Sequence, residues 1–347
     1  MTANYQKYIL HFKQPSGTSR GILKTKETWF LLLKEGDNWG IGECGLLRGL
    51  SVDDRPDYEE KLQWVCDNIN LGELVLYKKM EEFPSIQIGV EMAFKSLASV
   101  DPFQLFPSQF FEGNAVIPIN GLIWMGDKRF MKQQISEKLK AGFTCIKMKI
   151  GAIDFKAELA LLKSIRKEFS ASEIELRVDA NGAFAPSEAL EKLKWLSDHQ
   201  LHSIEQPIPP KQWEAMARLC EETPLPIALD EELIGVFSSE EKETLLKVIK
   251  PQYIILKPSF IGGFSGSDQW ISLAEKHQVG WWVTSALESN VGLNAISQYT
   301  FTKNSKLPQG LGTGSLYSNN IPSPLKVSNG SIKYQSSSTW NLSNINV

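Results

Sequence analysis

The period of the apolar positions changes near residue 115. Before that point alternation dominates over roughly 5–14, 20–34 and 38–44, three stretches predicted as strands, with Glu35-Gly36-Asp37-Asn38 as the turn between the second and third. So short a connection makes them an antiparallel meander. From about Asp57 to Asn68 and from Ile86 to Ser99 the spacing becomes helical, with Ile86, Val90, Ala93, Phe94 and Leu97 along one stripe. These elements together predict a small α+β module.

Beyond about Ala115, short apolar runs alternate with amphipathic helices, the pattern of parallel strands joined by crossover helices. The strands read AVIPIN, CIKMKI, IELRVDAN, HSIEQP, IALDEE, YIILKPS and WWVTSALES, apolar almost throughout until their last residues. Such strands are buried on both faces. The intervening helix from Pro186 to His199 has proline near its first turn and Ala189, Leu190, Leu193 and Leu196 at three- and four-residue steps. Polar residues end strand after strand, which favours a closed barrel with its chemistry at the C-terminal rim over an open sheet. The final forty or so residues, rich in Ser, Asn and Pro, are expected to fold back over the first module. The expected division is 1–110 for the α+β module, 111–305 for the barrel, and 306–347 for the last barrel segment and returning tail.

At 347 residues the chain is long enough for one large barrel with an attached module. Lys and Arg number 37 against 40 Asp and Glu, a net charge of -3 that lacks the basic excess of a nucleic-acid binder. Cys44, Cys66, Cys145 and Cys220 are widely spaced and form no CxxC pair, which argues against a zinc knuckle or a disulfide framework and fits a reducing cytoplasm. No run of about 18 apolar residues suggests a membrane span. The expectation is a cytoplasmic protein with a small-molecule partner, no nucleic acid and no membrane.

Three acids end successive strands: Asp179 in RVDANG, Glu205 in SIEQP and Asp230 in ALDEE, 26 and 25 residues apart. Each interval is one strand-helix unit, so in a barrel the three carboxylates converge. A single acid at a strand end ordinarily caps a helix or enters a loop. Three in register repel one another unless a cation lies among them, and oxygen ligands without His or Cys favour Mg²⁺, with Mn²⁺ as a substitute, over Zn²⁺.

Lys147 and Lys149, two apart in CIKMKI, share one strand face, while Ile146, Met148 and Ile150 take the other. With the apolar face against helices, the ammonium groups are directed inward and need anionic partners. Lys257 at the end of YIILKPS approaches from across the barrel. A carboxylate substrate between them fits, and neighbouring positive charge is expected to lower one lysine pKa enough to make it a base for proton abstraction beside that carboxylate. Metal and lysine would then stabilise the developing enediolate. Gly151, Gly262-Gly263 and the Gly310/Gly312/Gly314 run do not make a phosphate-binding loop. His11, His199, His202 and His277 lie away from the C-terminal strand ends, and no Ser/His/Asp or Cys/His set is suggested.

The ordered motifs GIGECGLLRGLS, KMK, DANG, EQP, LDE, LKPSFIGG, SALES and GLGTG cover nearly the whole chain. Together they resemble the enolase superfamily, specifically its muconate-lactonizing subgroup and, within it, the o-succinylbenzoate-forming branch. The resemblance implies an α/β fold, a modified (β/α)7β barrel under an N-terminal α+β capping domain. It implies Asp179, Glu205 and Asp230 as Mg²⁺ ligands, Lys149 as the base, Lys147 assisting at the carboxylate, and Lys257 on the opposite face of the substrate ring. The implied reaction is dehydration of 2-succinyl-6-hydroxy-2,4-cyclohexadiene-1-carboxylate to o-succinylbenzoate, a menaquinone precursor. Ser285, Ala286 and Gly310 match positions at the far end of the substrate pocket, and Asn181 a position beside metal or substrate.

Two features bear on specificity. Relatives often read GECxPLPG where this chain has Gly45-Leu46-Leu47-Arg48-Gly49, so the capping loop lacks proline. Arg48 either reaches a succinyl carboxylate or stands as a solvated loop charge. The same lysines and acids would also serve an N-acylamino acid racemase or a dipeptide epimerase. Dipeptide epimerases usually carry Asp-x-Asp on the last strand, where this chain reads Thr284-Ser285-Ala286-Leu287-Glu288. A mandelate-racemase-like enzyme would be expected to bring a late-strand His, which is missing here. A non-catalytic metal-binding scaffold would be expected to have lost part of the polar set, which is intact.

Overall fold

The computed structural model describes residues 1–18 and 21–346. The chain opens with β1 (Thr2–Thr18), β2 (Gly21–Glu35) and β3 (Asn38–Cys44), an antiparallel sheet in that order. Arg20, where the second strand was expected to begin, lies outside the described residues. Helices α1 (Tyr58–Asp67), α2 (Glu73–Lys79) and α3 (Pro84–Ala98) follow. Sequence periodicity missed α2, seven residues long with Leu76 alone buried.

Helix α3 lies directly on the sheet because glycine faces glycine. A Cβ on Gly42 would lie 1.9 Å from the Gly89 carbonyl oxygen, and one on Gly89 would lie 2.2 Å from Cys44 Sγ. Trp29, Leu31, Leu33, Val90 and Ala93 form the core of this capping unit.

Next come β4 (Val116–Pro118) and β5 (Gly121–Ile123), α4 (Lys128–Lys140), β6 (Cys145–Lys149), α5 (Phe155–Glu168), β7 (Glu175–Asp179) and α6 (Pro186–Ser197). Then follow β8 (Ser203–Glu205), α7 (Trp213–Glu222), β9 (Ile227–Leu229), α8 (Ser239–Ile249), β10 (Tyr253–Leu256), α9 (Pro258–Ile261), α10 (Gly263–Lys276), β11 (Gly280–Val283) and α11 (Asn290–Thr302). Strands β5 to β11 pair in parallel in sequence order. Their outward side chains, among them Ile146, Met148, Val178 and Ile204, pack with the helices into one continuous core.

The barrel is closed by a two-residue segment. Gln309 bridges Ile119 and Gly310 bridges Thr284, both in parallel. Gly310 N–H donates to Val283 O at 2.8 Å, and its carbonyl accepts Ser285 N–H at 3.0 Å. A Cβ there would meet Thr284 Oγ1 at 2.4 Å, so the closure takes glycine.

The AVIPIN stretch corrects one expectation. Its Val116–Pro118 part is not a barrel strand; it joins β12 (Leu325–Ser328) and β13 (Ser331–Tyr334) in a separate antiparallel sheet, and the barrel begins at Gly121.

The segment around Asn319 lies against β1. Asn319 holds that strand from outside: its Oδ1 accepts His11 N–H at 2.8 Å and its Nδ2 donates to Ile9 O at 2.8 Å. No helix among the described residues is long and apolar enough to cross a membrane.

Candidate active site

In a parallel barrel alternate residues face inward and matched positions on neighbouring strands stand side by side. Lys149 is the register partner of Asp179, and Asp179 of Glu205. The inward residues Lys147, Lys149 and Asp179 of β6 and β7 are buried, as are Glu205 at the end of β8 and Asp230 directly after β9. Lys257 directly follows β10, which lies across the barrel from β6.

The lysines and acids form one ion-pair network. Lys147 Nζ lies 2.8 Å from Asp179 Oδ2 and also donates to Glu205 Oε2. Lys149 Nζ donates to the same Asp179 Oδ2 at 2.8 Å and to Asn181 Oδ1 at 2.6 Å. Lys257 Nζ donates to Asp230 Oδ2 and stands 3.9 Å from Glu205 Oε1. Asn181, with φ of 44°, is fixed by its own N–H to Asp179 Oδ1 at 3.0 Å and by its Nδ2 to Glu231 Oε1 at 3.0 Å.

Burial and charge pull these groups in opposite directions. Burial alone would lower the Lys147 and Lys257 ammonium groups, but the carboxylates outweigh it and hold both above the usual lysine value. The expectation of a lowered lysine therefore does not apply to these two in the ion-paired state. Burial would raise Asp179, yet Lys147 and Lys149 hold it well below the usual carboxylate range. Glu205 goes the other way, to about 8, through burial and the neighbouring Asp179 charge.

The donor set fits a hard cation. Among the described residues no group of three acids, His or Cys is drawn together as a closed metal cluster; the ammonium groups of Lys147 and Lys257 stand between the carboxylates instead. Even so, Glu205 Oε1 is buried with no hydrogen-bond partner, and its carboxyl is raised by burial first and by the neighbouring Asp179 and Asp230 charges second. Carboxylate oxygens with no His or Cys among them suit Mg²⁺ or Mn²⁺.

Above the network lies a cavity of 590 Å³, a size that suits a small organic ligand. Lys147, Lys149, Asp179, Asn181 and Lys257 line its floor. Ser285, Ala286 and Gly310 line one wall, together with Thr313, which sequence reasoning did not single out. The capping unit covers it with Ile22 and Leu23 of the β1–β2 hairpin and with Leu47 to Leu50. Arg48 also borders the cavity, but Glu27 at 2.7 Å and Asp54 at 2.6 Å already hold its guanidinium.

Residues 131–337 match the family model described as Enolase C-terminal domain-like. An o-succinylbenzoate synthase from Desulfotalea psychrophila is 45% identical, covering 95% of this chain and 98% of the relative. The crystal structure of MenC from Desulfotalea psychrophila superposes with a TM-score of 0.86 at 42% identity, over 96% of this chain and 99% of that one. A dipeptide epimerase from Enterococcus faecalis, solved with Mg and the dipeptide L-Leu-L-Tyr, gives a TM-score of 0.81 at 18% identity over 96% of each chain and shares the fold. The barrel, its strand-end residues and these matches over most of its length place the chain in the enolase superfamily.

Proposed function

We propose that this protein is an o-succinylbenzoate synthase, dehydrating 2-succinyl-6-hydroxy-2,4-cyclohexadiene-1-carboxylate in menaquinone biosynthesis. The observation that carries the reading is the pairing of one cavity floor, with Lys149 and Lys257 on opposite sides, with a relative of that activity 45% identical over nearly the whole chain.

Asp179, Glu205 and Asp230 would hold Mg²⁺, which when bound supplies positive charge beside the substrate carboxylate. Lys149, as the neutral amine, takes the proton from the carbon bearing the carboxylate and becomes an ammonium. The C–O bond on the adjacent carbon then breaks, and the proton on Lys149 Nζ passes to the departing hydroxide on the same face, giving water and an aromatic ring. Asn181 Oδ1, 2.6 Å from Lys149 Nζ, keeps the ammonium aimed after its carboxylate partner is engaged. Lys147 approaches the substrate carboxylate. Lys257, from the opposite face, stabilises the negative charge spread over the ring.

The epimerase reading is disfavoured by the wall. A substrate ammonium needs an acid at the end of the last strands, and the acid there, Glu288, is buried and turned to Ser259 and Ser285 rather than to the cavity. Ser285, Ala286 and Leu287 line the cavity in its place. The test offers the Mg²⁺-loaded protein the cyclohexadiene substrate and N-succinylamino acids in deuterated water. Rapid dehydration supports the synthase; deuterium exchange with racemisation and no dehydration overturns it.

A further inference from the structure

Glu288 follows β11, three residues after Ser285, and is completely buried. Its Oε1 accepts Ser259 Oγ–H at 2.5 Å and its Oε2 accepts Ser285 Oγ–H at 2.6 Å. Ser285 Oγ in turn receives Thr313 Oγ1–H at 2.8 Å and Leu287 N–H at 3.0 Å. A serine hydroxyl has one hydrogen to give and two lone pairs to receive with. All three are used inside the wall, so the Ser285 hydroxyl has nothing left to offer a ligand.

The carboxylate dictates this arrangement, because it accepts and cannot donate. Ser259 and Ser285 must both point their hydrogens at it, Thr313 must donate to Ser285, and Thr313 is left with lone pairs alone. Three segments of the rim are thereby tied at one point: the start of α9, two residues past Lys257; the turn after β11; and the turn at Thr313. Ser285 and Thr313 line the cavity, while Glu288 and Ser259 stand behind them. The backbone at the junction is unusual too, with Leu287 at a φ of 65°, a left-handed conformation costly for a branched residue.

The capping unit supplies the balancing charge. Lys26 Nζ on β2 is buried without a hydrogen-bond partner, and the charges facing it are Glu288 and Glu43. Glu43, on β3, accepts Ser289 N–H and Gly292 N–H at 2.8 Å each, at the start of α11. Lys26 of the cap thus faces one carboxylate of its own unit, Glu43, and one of the barrel, Glu288.

We propose that Glu288 is a positioning residue for the substrate wall: through Ser285 it sets where Ser285, Ala286 and Thr313 stand relative to Lys257, and so governs substrate binding. The proposal rests on the reading of the cavity as the substrate site. Glu288→Gln tests it, because the amide must donate to one of the two serines and so turns that hydrogen-bond chain around.

The wild type is first assayed on the cyclohexadiene and on N-succinylamino acids, and the substrate it turns over is used for every variant. A wrong choice of reaction then shows in the wild type rather than as an unchanged variant. Folded Glu288→Gln is expected to raise KM about tenfold, with kcat within about twofold because Lys149 and the three acids keep their partners. Ser285→Ala is expected to do the same, and the double variant to be no worse than Ser285→Ala, since both act on one contact. Should Glu288→Gln fail to fold, Thr313→Val interrupts the same chain at its outer end and is expected to raise KM with kcat held. An unchanged KM in a folded variant, or full additivity of Glu288→Gln with Ser285→Ala, overturns the proposal.

Discussion

Lys147 and Lys149 donate to the same oxygen of Asp179, each at 2.8 Å. One carboxylate oxygen thus serves two ammonium groups, and any cation bound there competes with both. Lys149 keeps a second anchor in Asn181, whereas Lys147 keeps Glu205, itself one of the three acids. Lys149→Ala is therefore expected to lower kcat by at least about 10²- to 10⁴-fold, the range of general-base contributions, with Mg²⁺ affinity retained in calorimetry. A Lys149→Ala protein with wild-type turnover would refute the base assignment.

The crowded charge at Glu205 gives the metal a measurable signature. A ligand at about 100 times its Kd stabilises the folded state by about 2.7 kcal/mol, so Mg²⁺ is expected to raise the melting temperature and a chelator to abolish both that rise and turnover. In Glu205→Gln the Mg²⁺-dependent rise is expected to shrink. A melting temperature insensitive to Mg²⁺ in the wild type would argue against the site.

Glu91, on α3 of the capping unit, accepts Phe264 N–H and Ser265 N–H at the start of α10. Burial nevertheless raises its carboxyl from 4.5 to about 7. The folded state holds this proton more tightly than the unfolded chain, so the group's contribution to stability is greatest at low pH and falls as pH rises from about 4.5 to 7. Glu91→Gln is expected to remove that part of the slope between pH 5 and 7 in denaturation midpoints. A slope unchanged by the substitution would show that the charge costs nothing there.

Gly42→Ala sets a methyl group against the backbone of α3, where the nearest atom is the Gly89 carbonyl oxygen and not a movable side chain. Overpacking of this kind costs about 1–3 kcal/mol, expected as a lower denaturant midpoint with unchanged m-value. The equivalent change at Gly36, where nothing lies within 4 Å but φ is 60°, isolates backbone strain for comparison.

The parts that were legible in sequence carried a local signature. Lys147, Lys149, Asp179, Glu205, Asp230 and Lys257 lie at or near the ends of apolar strands, and the structure joins them in one ion-pair network. What escaped lacked such a signature. The last barrel segment was expected within 306–347, but at two residues, Gln309 and Gly310, it has no apolar run to locate it, and its bridges to Ile119 and Thr284 do so. The apolar run around Val116 does have the look of a barrel strand, but which sheet it joins is settled by residues more than 200 positions away, in β13.

Lys26 illustrates a further limit. Among Lys24, Thr25 and Glu27 it reads as part of a solvated strand, and only the docking of cap against barrel buries it. The cluster around Glu288 did leave one cue in sequence, a serine three residues ahead of a glutamate, the spacing at which a side chain can reach back to a neighbour in a turn.

Asn319 reaches back to His11 across 308 residues. Synthesis at about 5–20 residues per second means that the outer edge of β1 emerges roughly 15–60 s before the residue that covers it. Through that interval the growing chain exposes an open strand edge, the kind of surface on which nascent proteins associate. Protection of this edge thus waits on synthesis of Asn319, and a strand made early is covered late.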